Sequence, residues 1–131
     1  MRIVDRKTFL TLPAGTVFAK FSPQPADGSF RALTHEEVAI KGDTVAGVDF
    51  VVQDLFPWFE GCNDSRAWSD AMIAMLDGKP SPPLDYDCGA RDGLFDQDQL
   101  FAVWDVEDQR RLVTRLQAAL DMVERANVVK A

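Results

Sequence analysis

The sequence predicts an α+β domain: a small, mainly antiparallel sheet or partly closed barrel carrying two or three packed helices. Two observations point there. β-rich, alternating segments concentrate before residue 54, and one more lies between two segments of helical spacing. Nothing repeats as strand, helix, strand, which a doubly wound parallel sheet requires. The 131 residues, 47% hydrophobic and 27% charged, have the balance of one folded domain spanning 1–131. A chain of this length buries roughly two-thirds of its unfolded surface, so its core requires neither a disulfide nor a structural metal.

Asp5 caps a short helix with Phe9 and Leu12 on one side. Pro13-Ala14-Gly15 ends it, because proline breaks the hydrogen-bond ladder and glycine tolerates positive φ. Residues 16–21 (TVFAKF) form a strand stopped by Pro23 and Pro25, and a further extended piece is expected at 30–33. Val38 and Ile40 alternate with Ala39 and Lys41, loop chemistry runs from Gly42 to Gly47, and Val48, Phe50 and Val52 alternate again. That is the pattern of an antiparallel hairpin.

From Asn63 the period lengthens, with Trp68, Met72, Met75 and Leu76 at helical spacing, a cap among Asn63, Asp64 and Ser65, and Gly78 in the C-terminal cap position. Residues 79–83 (KPSPP) make a stiff, extended connector. Residues 100–104 (LFAVW) read as a buried strand. Asp105 then caps the last helix, where Leu112, Val113, Leu116, Leu120 and Val123 form one apolar stripe opposite Arg110, Arg111, Arg115 and Arg125. This helix is expected to be a keystone of the core, not a site.

The net charge is −7, a global field that repels phosphate backbones and argues against nucleic acid as a partner. Residues 85–108 hold eight acids (Asp85, Asp87, Asp92, Asp96, Asp98, Asp105, Glu107 and Asp108) and one base, Arg91, while the remainder is balanced. Such a segment suits a hard cation or a basic partner, although acids near Asp105 also favour a helix N-terminus. An EF-hand frame starting at Asp85 fails, with Gly89 at position five, Ala90 where glycine is required and Asp96 at position twelve. A solvated acidic loop is the expectation. No stretch approaches the roughly 20 apolar residues of a membrane span. The opening MRIVDRKTFL lacks the apolar run of a secretory signal, so a cytoplasmic protein with reduced Cys62 and Cys88 is expected.

Catalytic signatures fail one by one. Cys62, His35 and Asp64 are the residue types of an acyl-transfer triad, but no nucleophile-loop pattern surrounds Cys62. Neither cysteine has a CxxC partner, so zinc is not expected. Gly42 and Gly47 match half of a phosphate loop, yet Val48-Asp49 stands where lysine and a hydroxyl residue belong, and a hairpin loop accounts for both glycines. No cofactor and no metal is assigned. Leu55-Phe56-Pro57-Trp58-Phe59 packs three aromatics around a proline; core burial is the default for such residues, and a surface anchor is the alternative. Residues 80–83 match a PxxP ligand in form but read as linker.

Asp5-Arg6-Lys7-Thr8-Phe9-Leu10, Leu12-Pro13-Ala14-Gly15-Thr16, Ile40-Lys41-Gly42-Asp43-Thr44, and Arg91-Asp92-Gly93-Leu94-Phe95-Asp96 leading into 99–104 together resemble a group of small uncharacterised proteins of tailed bacteriophages and prophages. The resemblance implies expression in a bacterial cytoplasm and an accessory or host-directed role, and carries over no functional residue. The expected function is non-enzymatic binding to a host or phage protein, by a monomer or homodimer, through Phe56, Trp58, Phe59, Asp92, Asp96 and Asp98. The competing reading is a small enzyme using Cys62 or the acidic 85–98 segment.

Overall fold

A computed structural model describes residues 1–21, 38–55, 58–87, 89–93 and 97–130. The expected strand at 30–33, together with His35, Phe56, Cys88 and Asp96, lies outside the described residues. The chain folds as β1 (Arg2–Val4), α1 (Arg6–Leu10), β2 (Val17–Phe21), β3 (Ala39–Val45), β4 (Asp49–Asp54), β5 (Trp58–Phe59), α2 (Ser65–Leu76), β6 (Leu84–Asp85), β7 (Ala90–Asp92), β8 (Leu100–Val103) and α3 (Val106–Lys130). Six strands form an antiparallel sheet in the order β1-β8-β2-β3-β4-β7, and β5 and β6 form a separate two-stranded ribbon. The fold is α+β, and the sheet is open rather than closed into a barrel.

The core lies where α1 covers the sheet. Asp5 caps α1 by accepting from the Thr8 amide at 2.8 Å, and the helix delivers Phe9 onto Phe18, Phe50 and Phe101. Phe9 stacks on Phe101 with ring centroids 4.0 Å apart and meets Phe18 and Phe50 at 4.8 and 4.9 Å. β8 sits between β1 and β2. Its Ala102 and the facing Ala19 of β2 are fully covered, so the sheet is buried on both sides there.

The β3–β4 hairpin is present, with two corrections. Strand β3 runs on to Val45, so Gly42 lies within a strand and not in the loop. A β-bulge falls between Lys41 and Thr44, and a Cβ at Gly42 would stand 2.7 Å from Val51 Cβ. Close packing against β4 therefore explains Gly42. The turn is tighter than expected: Ala46 and Gly47 have φ of 54° and 75°, and the Val48 amide donates to the Val45 carbonyl. The two successive left-handed residues turn the chain, and with Val45 paired to Asp49 the loop is the three residues 46–48.

The second correction concerns the faces of β3. Alternation favours Val38 and Ile40 inward, yet Ala39 and Lys41 are the buried pair. Lys41 is 1% exposed, and its Nζ donates to the Gly42 carbonyl and to Thr44 Oγ1, 5.9 Å from the Phe9 ring centre. Loss of hydration holds its ammonium below the ordinary 10.5, partly offset by Asp43. With the folded value below the unfolded one, burial opposes folding at neutral pH, and that opposition is relieved as pH rises through the folded value towards 10.5. Lys41→Met is expected to leave stability at pH 7 within about 1 kcal/mol of the original or to raise it. Urea unfolding near pH 7 and about pH 10 tests this, because the variant should lack the alkaline gain. A loss above about 2 kcal/mol at pH 7 would refute it.

The middle helix follows its sequence signals. Asp64 caps α2 through the Ala67 amide at 2.8 Å, and Gly78 follows with φ 87°. The proline connector returns the chain so that the Glu60 amide donates to the Pro83 carbonyl and β6 pairs with β5. No residue of α2 is buried, however, and Met72, Ile73 and Leu76 stand open to solvent.

Candidate interaction surface

α3 holds the largest departure from expectation. Its 25 residues span about 37 Å. Among the described residues, only its root is fastened to the sheet. Gln109 donates to the Gly15 carbonyl at 3.0 Å and accepts from the Val17 amide, while Asp105 and Asp108 pair with the Met1 amine and Asp105 also with Arg2. The Asp108 carboxyl is held below its ordinary range by its hydrogen bond to that amine. Leu112 is half-buried, and every residue from 113 to 128 is exposed. Val113, Leu116, Leu120 and Val123 are 49–61% exposed. The stripe is therefore not covered by its own sheet, and the keystone expectation is overturned. The pattern correctly marks an apolar face, but a helix anchored only at one end carries that face away from the core.

Two open grooves flank the root, both bordered by Trp104. One, of about 630 Å³, lies between the 13–16 turn and α3 side chains Val106, Gln109, Arg110 and Val113. The other, of about 670 Å³, is lined by Met1, Asp108, Arg111, Leu112 and Arg115. The first continues the line of the apolar stripe down to the sheet.

The aromatic segment forms a second exposed feature. Trp58 is 56% exposed, and Phe59 is half-buried. Both pack on Trp68 of α2, with centroids 5.6 and 4.6 Å apart, and the Trp58 indole donates to Asp54 at 2.8 Å. The ribbon thus presents Trp58 at the surface against Trp68 of α2.

The acids do not gather. Asp92 pairs with Lys20 at 2.9 Å and is largely covered, joining β7 to β2, strands that are not neighbours in the sheet. The solvated-loop expectation therefore does not describe Asp92. Asp85 accepts from the Asp87 amide, and Asp98 is exposed in a turn and likewise engaged within the chain. Among the described residues no group of three or more His, Cys, Asp or Glu is placed to hold a metal. Cys62 is half-buried with its thiol against the Ala67 carbonyl at 3.7 Å. Asp64, the acidic member of that triad of residue types, is the cap of α2. Among the described residues no helix is long and apolar enough to cross a membrane. No family model, curated protein or solved structure matches this chain.

Proposed function

We propose that this is a non-enzymatic binding or accessory protein that works through protein–protein contacts, with the stripe of α3 as its principal contact surface and the Trp58–Phe59–Trp68 corner as a second. One observation carries the reading: four large apolar side chains in a row, Val113, Leu116, Leu120 and Val123, stand about half open on a helix that its own sheet does not cover. Contiguous exposed apolar surface of this kind marks interaction sites in folded proteins. The resemblance to phage and prophage proteins supports a bacterial cytoplasmic setting and an accessory role there.

Because the stripe is open, Leu116→Ala is expected to change the stability of the dilute chain by less than about 1 kcal/mol, where a core leucine would cost about 2–5. Urea unfolding reads this directly. Leu116→Ser with Leu120→Ser should leave the fold intact and abolish association with whatever the original chain binds. A doubly substituted chain with unchanged association would overturn the assignment of α3 as the contact surface.

A further inference from the structure

The stripe on α3 has the spacing of a helix-helix seam, and its residues read Val-Leu-Leu-Val in either direction. Val113, Leu116, Leu120 and Val123 are spaced three, four and three residues apart, so the row reads the same in both directions about Ala118. Reversing the helix places Val113 on Val123 and Leu116 on Leu120. A surface complementary to its own reversed copy is what a two-fold interface requires. We infer that α3 pairs antiparallel with α3 of a second copy of this chain, about a two-fold axis crossing the stripe between Leu116 and Leu120. This deepens the reading of α3 as a contact surface and rests on it.

The borders of the stripe agree. One border carries Leu112, Ala119 and Ala126, and the other Arg110, Gln117 and Glu124, each at seven-residue spacing. In an antiparallel pair like borders lie side by side. Leu112 then meets Ala126 of the second copy, Ala119 meets Ala119, Gln117 meets Gln117, and Arg110 stands beside Glu124, twice by symmetry. A parallel pair would put Glu124 beside Ala119 and Gln117 beside Leu112, and would offer Arg110 only Asp105, which is already paired with the Met1 amine and Arg2 at the start of the helix. Antiparallel pairing also sends the two sheets to opposite ends, separating the acidic 85–108 segments that carry the net charge of each chain.

The groove at the root completes the fit. With the axis between Leu116 and Leu120, the last turn of one α3 lies over the first turn of the other. There the groove of about 630 Å³ between the 13–16 turn and Val106, Gln109, Arg110 and Val113 lies open in line with the stripe. The apolar row thus ends in an open concavity bounded by Gln109, whose amide is tied to Gly15 and Val17 of its own chain.

Sedimentation velocity on the full chain tests the proposal. The expected result is a species of twice the 14.6 kDa chain mass at tens of micromolar, dissociating on dilution. Arg110→Glu should weaken the dimer on the order of tenfold by setting like charges together, and Glu124→Arg added to it should restore the original affinity. The two positions are four turns apart within one helix, so that rescue requires the second copy. A dimer that Arg110→Glu weakens and Glu124→Arg does not rescue would overturn the antiparallel arrangement. A monomer at about 100 µM would overturn the pairing itself. If that monomer still loses another protein's binding through Leu116→Ser and Leu120→Ser, α3 remains a contact surface for a different partner. If it does not, the binding reading falls as well.

Discussion

Phe9→Ala is expected to cost about 3–5 kcal/mol, a large share of the roughly 5–15 kcal/mol that holds a domain of this size. Phe9 is fully buried, and its ring touches three other phenylalanines, lying flat on Phe101 and tilted or edge-on to Phe18 and Phe50. Deleting it removes the transfer energy of the ring, leaves a cavity between α1 and the sheet, and forfeits the aromatic contacts. α1 has only five residues, too few to be helical without tertiary support. Phe9 is its principal buried anchor, so α1 should loosen with it. Equilibrium urea unfolding of the original chain, Phe9→Ala and Phe9→Leu provides the measurement. Leucine should recover part of the loss by refilling volume, and a Phe9→Ala cost under about 1.5 kcal/mol would mean that the four rings are not the centre of the core.

Asp49→Asn should be the next most damaging change, at about 3 kcal/mol. Asp49 is 7% exposed and lies between two arginines. Arg91 donates from Nε at 2.7 Å, and Arg6 approaches at 3.9 Å with its guanidinium over the Phe50 ring. Arg6 is itself 6% exposed, is tied to the Val48 carbonyl at 2.9 Å, and has a buried Nε without a partner. Neutralising Asp49 leaves the Arg6 charge in a dry site with no counter-charge, which is the expensive way to break a buried pair. Arg91→Ala takes the hydrogen bonds from a buried carboxylate but leaves Arg6 as its counter-charge, so it should cost less than Asp49→Asn. Replacing Arg6 and Asp49 together by methionine and leucine should be milder than Asp49→Asn, because no charge is then stranded. Unfolding free energies for the three variants decide it, and an Asp49→Asn cost no larger than that of Arg91→Ala would show that the site is wet.

The folded state thus depends on the contact of α1 with the sheet and on the Arg6–Asp49–Arg91 cluster beside it, while α3, among the described residues, is fastened only at its root. Changes to the outer stripe should accordingly alter association and leave unfolding of the dilute chain nearly untouched. A core change such as Phe9→Ala should lower both.

Local signals alone determine a good deal of this protein. The Asp5 and Asp64 caps, the end of α2 before Gly78, the hairpin, the 100–104 strand and the onset of α3 after Asp105 are all legible. Each depends on neighbours within a few residues: a side chain reaching a nearby amide, a glycine free to take positive φ, or a period of two or 3.6. Tertiary structure decided the rest. β1 and β7 have three residues each, too few to show a period, and exist because β8 and β4 offer them unpaired edges. The inward turn of Lys41 follows from the register of β3 against β4, which places Ala39 and Lys41 on the Phe9 side whatever their polarity. Gly42 answers to Val51 across the strand, not to the turn beside it. Periodicity on α3 establishes that the helix has an apolar face, but periodicity is a property of one helix and burial a relation between two surfaces. Gln109 and Asp105 anchor only the root, so the geometry of attachment, and not the composition of the stripe, keeps that face out of the core.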